Sequence, residues 1–479
     1  MAQDYDVIIV GAGPAGLFAA LELAQKSSLR LLLLEKGRPL EHRLCPIREE
    51  GGTCRHCRPC AQLCGWGGAG AFSDGKLTLS PEVGGWLGDF LPRPLLERHI
   101  AYVDRLYRRF GASEKVYGLG DEVEEWQHRA ALNDLRLIPV PIRHLGTEHC
   151  SAIVQAMYEE LARRVEVRMN TPVVRLEVAE GRVAGVTTAG GETLRARFVV
   201  VAPGREGASW LRGEAERLGI VLRNNPVDVG LRVEVPAPVL APLTDALYEA
   251  KLEYTSRCFD DRVRTFCVCP YGEVTPEFAD GDPPVVLVNG HSYAERPTAS
   301  TNFALLVSTS FTEPFHEPIA YGRYLARLAN MLSGGVMVQR LGDLRAGRRT
   351  TAERLARSIV EPTLKSAIPG DLSFVLPYRY LADIMEMLEA LDKLAPGVNS
   401  RHTLLYGVEA KFYSSRLDLT PSLETVQVAN LFAAGDGAGV TRGLVQASVS
   451  GVIAAREILR RCGAAPADEE AEEGDRALL

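Results

Sequence analysis

Three groups of residues have types and spacings that chemistry requires. The first is Gly11-x-Gly13-x-x-Gly16, with Glu35 nineteen residues beyond Gly16. In such a run the first glycine permits a tight turn, the second lets the backbone approach a pyrophosphate, and the third lets helix and strand pack closely. Pro14 and Ala15 lie inside the same turn. Glu35 is spaced to hydrogen-bond an adenosine ribose, and Lys36 follows it. The second group is Gly435-Asp436 near the other end, with Gly443 and Leu444 opening a last helix. The third is Cys54-x-x-Cys57-x-x-Cys60-x-x-x-Cys64, with Cys45 nine residues earlier. It repeats the spacing of a bacterial ferredoxin iron-sulfur run, although Gly65 stands where such runs have proline. This cluster reads as an iron-sulfur or zinc site, as a thiol-disulfide relay, or as reduced structural thiols. Arg55, His56 and Arg58 favour thiolates under either chemical reading. Cys267 and Cys269, at strand spacing on one face, read instead as core.

The elements that must position these groups follow from periodicity. Asp6 to Val10 is an apolar, β-branched run, Leu17 to Ala24 repeats apolar residues at helical spacing, and Arg30 to Leu34 is a second strand. Together they predict a β-α-β unit and a parallel sheet. Residues 37–90 break the pattern with a glycine-rich insertion that holds five of the ten cysteines. Within it, Gly65 to Lys76 follows the second strand, whose C-terminal edge holds ligands in such sheets. Gly68, Ala69 and Gly70 suit close approach to a planar ring, and Ser73, Asp74 and Lys76 can hydrogen-bond a ligand or substrate. Helical periodicity returns at 94–110 and 148–164. Residues 171–188 predict a hairpin flap that begins near Val173, and 198–202 a strand buried on both faces and stopped by Pro203-Gly204. From 227 to 310 several β-rich runs alternate with turns, helices follow between about 317 and 395, and residues 431–434 lead into Gly435-Asp436 before a helix over 444–459. The acidic stretch 463–479 reads as disordered.

Several segments resemble known flavoproteins. Phe432-Ala433-Ala434-Gly435-Asp436-Gly437 is similar to the Gly-Asp strand end of glutathione reductase and its relatives, where the aspartate meets the flavin's ribityl or phosphate region. Ala202-Pro203-Gly204 resembles their Ala-Thr-Gly turn, with Pro203 replacing a donor. Gly65 to Lys76, Gly407-Val408-Glu409, Arg264 to Pro270 and Asn289-Gly290-His291-Ser292 resemble a largely uncharacterised family of prokaryotic FAD-dependent dehydrogenases, over nearly the whole chain to about residue 462. Lys411 to Ser415 departs from the Arg-Thr-Ser-Ser type of segment in many members. The resemblance implies an α/β, glutathione reductase-like (Rossmann-type) FAD-binding domain with a parallel sheet and hairpin flap, plus an α+β substrate domain. It implies noncovalent FAD, with Gly11, Gly13, Pro14, Ala15, Gly16, Glu35, Lys36, Gly68, Ala69, Gly70, Ser73, Val173, Ala202, Gly204, Gly435, Asp436, Gly443 and Leu444 as cofactor contacts. The expected division is 1–44, 148–206 and 400–462 for FAD, 45–147 as an insertion, and 207–399 for substrate.

His291 is a candidate acid or base, and Lys76 and Lys411 are candidates for catalysis or for binding an anion, as is Arg442. The expected function is hydride or electron transfer, with a small-molecule substrate and an unassigned electron partner; a flavin-binding sensor or scaffold and a flavin-dependent RNA-modifying enzyme are the alternatives. At 479 residues, with 46% apolar and 24% charged residues, the chain has the composition of a globular protein with room for two or three domains. Its net charge of -7 argues against a phosphate-backbone partner. No apolar run is long enough to span a bilayer, and a strand begins too early for a signal peptide, so a cytoplasmic protein is expected. No second glycine fingerprint appears downstream, which argues against a separate NAD(P)H domain.

Overall fold

A computed structural model describes residues 4–45, 57–73, 75–145, 147–223, 225, 227–279, 285–292, 296–309, 318–411 and 414–464. The expected disordered tail lies almost wholly outside them, as do Cys54, Arg55, His56 and Asp74. The chain divides into two compact units: 1–114, 143–225 and 414–479 form the first, 115–142 and 226–413 the second.

In the first unit the β-branched run becomes β1 (Tyr5–Val10), which enters α1 (Pro14–Lys26) and returns as β2 (Leu31–Leu34). β1 pairs in parallel with β2 on one side and with Thr193–Val201 on the other; Glu166–Arg168 lies outside β2 and Leu431–Ala433 outside Thr193–Val201, both also parallel. A strand in the middle of such a sheet has both faces covered, which is why Val7, Ile8 and Ile9 are all apolar and wholly buried. Val7, Ile9, Leu31, Leu33, Val200 and Phe432 point into the core shared with α1 and the helix Leu444–Arg461. Ile8, Val10, Leu32, Leu34, Val201 and Ala433 point into the opposite core, which the flap and the helix Ala208–Leu218 join. The flap is the hairpin Val173–Ala179 and Arg182–Thr188, antiparallel to the first residues of Thr193–Val201. One strand therefore belongs to the flap at its start and to the parallel sheet at its end.

The second unit is an antiparallel sheet carrying one parallel edge. Its eight strands run in the order Ile368–Pro369, Met337–Arg340, Leu404–Lys411, Val227–Pro236, Ser300–Thr309, Arg262–Cys269, Lys251–Thr255 and Arg136–Ile138. The hairpin Glu273–Ala279 and Val285–His291 stands apart as its own sheet. Helices Ala237–Leu247, Pro318–Ser333 and Tyr378–Leu394 contribute apolar residues to its core. Periodicity had predicted helices alone between 317 and 395. Met337–Arg340 and Ile368–Pro369 are instead strands, because short apolar runs of four residues or fewer carry no readable period. Among the described residues no helix is long and apolar enough to cross a membrane.

Candidate nucleotide site

The glycine turn closes at the C-terminal end of β1. Gly11 sits at φ 104° and donates to the Leu34 carbonyl at 2.8 Å, so the turn is tied directly to β2. A Cβ on Gly16 would lie 1.9 Å from the Gly11 carbonyl oxygen, which fixes the helix against the strand it leaves. Gly13 is the N-cap of α1 and Pro14 is at its start; no side chain caps the helix. The first-turn N–H groups thus lack side-chain acceptors, and a Cβ on Gly13 would meet only the Gly68 Cα, at 3.9 Å. Uncapped donors beside such open space fit a diphosphate.

Glu35 is buried at the end of β2, and its carboxylate serves three backbone donors. One oxygen accepts from Ala12 N–H at 2.8 Å; the other accepts from Gly37 N–H at 2.8 Å and Gly65 N–H at 2.9 Å. The residue expected to meet a ribose therefore also clasps the glycine turn, the chain after β2 and the Gly65 loop. A carboxylate offers about four acceptor sites, so one remains for a ribose hydroxyl. Lys36 forms an ion pair with Glu206.

The Gly65 loop is docked on the turn. Gly67 N–H donates to the Ala12 carbonyl at 2.9 Å, Gly68 lies at φ 55° with its missing Cβ 2.9 Å from the Gly13 Cα, and a Cβ on Gly70 would lie 2.8 Å from Leu444 Cδ2 and 3.2 Å from Pro14 Cγ. Gly68, Ala69 and Gly70 occupy the short 3-10 turn Gly68–Phe72, and Ser73 closes it by donating to the Gly70 carbonyl at 3.0 Å. Lys76 opens the strand Lys76–Thr78. Two residues that sequence reasoning missed hold this loop. Trp66 is buried and donates from Nε1 to the Val154 carbonyl at 2.7 Å. Arg43 is buried and donates to the carbonyls of Ala61, Gln62 and Trp66 at 2.9, 2.8 and 2.5 Å, with its guanidinium 4.6 Å from the Phe72 ring centroid.

Gly435 sits at φ 78°, donates to Ser450 Oγ at 2.9 Å, and a Cβ there would approach Ala15 Cβ to 3.1 Å. Asp436 accepts from Thr441 Oγ1 at 2.9 Å, and its other oxygen lies 3.9 Å from Arg205 Nε. Burial pushes its carboxyl above the usual aspartate range, while Arg205, Thr441 and Arg442 pull it back. Gly443 is the N-cap of Leu444–Arg461, again without a side-chain cap. A Cβ on Gly437 would meet the Gly204 carbonyl at 2.5 Å, and Ala202 N–H donates to the Val10 carbonyl at 2.7 Å. The first unit thus gathers Gly11 to Gly16, Glu35, Gly68 to Gly70, Ala202, Gly204, Gly435, Asp436, Gly443 and Leu444 at one edge of its sheet. Val173, which starts the flap, is half-buried. The stripe of small residues Ala447, Ser448, Ser450, Gly451 and Ala454 was a readable sign of close helix packing: a Cβ on Gly451 would lie 2.0 Å from the Ala15 carbonyl oxygen.

The described cysteines of the run differ in burial. Cys57 is exposed, Cys60 half-buried and Cys64 buried. Burial pushes the Cys64 thiol up to about 11, against the pull of Lys36. Among the described residues no three His, Cys, Asp or Glu side chains gather to hold a metal. Arg43 stitches 61–66. Cys54, the first of the four candidate ligands, lies outside the described residues.

Of the other candidates, His291 ends a strand, where a turn had been expected, opposite Glu273. Lys411 is buried, with its ammonium 2.9 Å from Glu277 and 3.1 Å from Glu409. Both lie in the second unit, so the first unit brings neither of them to the glycine turn.

The chain matches the family models FAD binding domain over residues 6–44, flavin containing amine oxidoreductase over 65–287, FAD-dependent protein C-terminal domain-like over 226–412, and glucose inhibited division protein A over 364–466. An uncharacterized protein of Clostridium beijerinckii is 25% identical over 474 residues, 95% of this chain and 80% of that one. Among solved structures, glycine oxidase from Geobacillus kaustophilus aligns at a TM-score of 0.39 and 15% identity over 95% of each chain. L-amino acid deaminase from Proteus vulgaris aligns at 0.39 and 13% over 98% of this chain and 95% of that one. The sequence matches define the chain as an FAD-dependent oxidoreductase. These matches fit an uncharacterised family of FAD-dependent oxidoreductases.

Proposed function

We propose that this protein binds FAD noncovalently at the edge of the parallel sheet and oxidises a small organic molecule by hydride removal, with residues 207–399 supplying substrate recognition. The observation that carries this is the convergence, within the first unit, of the Gly11 turn, the Gly65 loop and the Gly435 to Leu444 segment, which lie far apart in sequence. In this reading the uncapped N–H groups at the start of α1, next to Gly13, hold the diphosphate. Glu35 takes a ribose hydroxyl on its remaining acceptor site, and Asp436 takes the ribityl or phosphate region. Gly68, Ala69 and Gly70 leave room for a flat ring, with Ser73 and Lys76 as polar neighbours. When bound, FAD supplies a two-electron acceptor that no side chain can replace. The match to flavin containing amine oxidoreductases favours amines and amino acids as the first substrates to try.

The test is release of FAD on denaturation of the purified protein, followed by anaerobic bleaching of its visible absorbance with an amine and amino-acid panel. Release of NAD alone, or no flavin after reconstitution, would overturn the cofactor assignment. Bound flavin that no organic donor reduces would overturn the enzymatic reading.

A further inference from the structure

The strand Arg262–Cys269 is in register with Ser300–Thr309 as far as Phe266 opposite Ala304, and the pairing resumes at Cys269 opposite Asn302. Three steps on one strand face two on the other, so one residue is extra and the strand bulges. Cys267 lies in that bulge at φ 46°, a left-handed conformation that residues with a Cβ rarely adopt. In a regular strand two residues on one face stand about 6.6 Å apart. Here the two sulfurs lie 3.9 Å apart. Cys269 is buried and Cys267 half-buried, so Cys267 is the more accessible of the two. Arg232, wholly buried, donates through both terminal nitrogens to the Cys267 carbonyl at 3.1 Å and approaches Cys269 Sγ at 3.8 Å. The same guanidinium, 3.5 Å from the buried Glu409 carboxylate, closes the bulge and donates toward the Cys269 sulfur, holding the two cysteines in this arrangement.

We propose that Cys267 and Cys269 are a redox-active dithiol, a second two-electron site whose substrates are low-molecular-weight or protein disulfides. The first step is attack of the deprotonated Cys267 sulfur on a disulfide R–S–S–R, which forms a mixed disulfide and releases one thiolate. Cys269, deprotonated in turn, attacks the Cys267 sulfur; the intramolecular disulfide forms and the second thiolate leaves. Two thiols lose two electrons and two protons, and one external disulfide becomes two thiols. A buried second cysteine behind an accessible first one is the order this sequence of steps needs. The site lies within the α+β unit and stands independently of the flavin assignment.

The experiment uses the whole protein equilibrated anaerobically with mixtures of reduced and oxidised glutathione, acid-quenched, alkylated with iodoacetamide and digested with trypsin. The peptide that begins at Thr265 contains Cys267 and Cys269 and no other cysteine. As the oxidised fraction rises it is expected to pass from doubly alkylated to an unalkylated form about 2 mass units lighter than the dithiol, without a persistent glutathione adduct. The Cys269→Ser variant is expected to trap that adduct on Cys267. Alkylation of both cysteines at every ratio would overturn the proposal. So would a stable Cys267 adduct in the unaltered protein, or no adduct in Cys269→Ser.

Discussion

Glu35→Gln separates two roles of one carboxylate. In the folded chain Glu35 receives three backbone N–H groups at 2.8 to 2.9 Å before any ligand arrives. The amide oxygen of glutamine can keep Gly37 and Gly65, which share one carboxylate oxygen. The amide nitrogen then faces Ala12 N–H, donor against donor. Losing one charge-assisted bond and stranding a buried N–H costs about 2 to 3 kcal/mol, and weakening the other two from charged to neutral costs about 0.5 to 1 kcal/mol each. The sum, roughly 3 to 5 kcal/mol, corresponds to opening of the turn about 10² to 5 × 10³ times more often. Amide hydrogen exchange at Ala12, Gly37 and Gly65, measured on FAD-free protein, reads this directly. If protection at these amides changes by less than about threefold while FAD affinity falls, Glu35 acts on the ligand alone and the clasp described above is wrong.

Arg43→Met removes the donor from the buried Trp66 carbonyl and from the half-buried carbonyls of Ala61 and Gln62, and should destabilise residues 61–66 by about 2 to 4 kcal/mol, seen as new proteolytic cleavage in that loop. Gly451→Ala drives a methyl into the Ala15 carbonyl and should destabilise the helix crossing by about 1 to 3 kcal/mol in thermal unfolding, with weaker FAD retention. Asp436→Ala should weaken FAD binding by about 1 to 3 kcal/mol in equilibrium titration; unchanged affinity rejects its assignment. Asp383 is raised to about 6, chiefly by burial, with Ser256 lowering it and the Asp261 side chain raising it. A carboxyl raised in the folded state stabilises below its unfolded value near 3.8 and loses that contribution as pH climbs to about 6. Asp383→Asn should therefore unfold later than the unaltered chain at pH 7 and gain nothing at pH 3. Alkylation of the native protein at pH 8 should modify Cys57 and spare Cys64.

Much of the nucleotide half was legible because its signals are backbone signals. Glycine spacing reports where no Cβ fits, and Gly11, Gly16 and Gly68 do sit where one would collide. The apolar runs of β1 and β2 were readable since strands buried on both faces leave no polar alternation to misread. Side-chain partners were not legible. Nothing in the spacing of Glu35 distinguishes a ribose partner from a clasp for three amides. Arg43 looked like any surface arginine until its three carbonyls were in place. The spacing of the cysteine run reports neither burial, which raises the Cys64 thiol, nor the Arg43 guanidinium that braces the loop. Cys267 and Cys269 were read as two side chains on one regular strand face, and a bulge cannot be seen from alternation alone.

The docking of the insertion also sets an order of events during synthesis. Gly70 lies against Leu444, and Gly85 bridges to Thr441. These partners are roughly 370 residues apart, so at 5 to 20 residues per second the ribosome needs about 20 to 75 s between making one side of the contact and the other. During that interval β1, α1 and β2 already exist, with the apolar face of α1 and the glycine turn exposed. The apolar face of α1 therefore stays uncovered until the helix Leu444–Arg461, with which it shares a core, has been made.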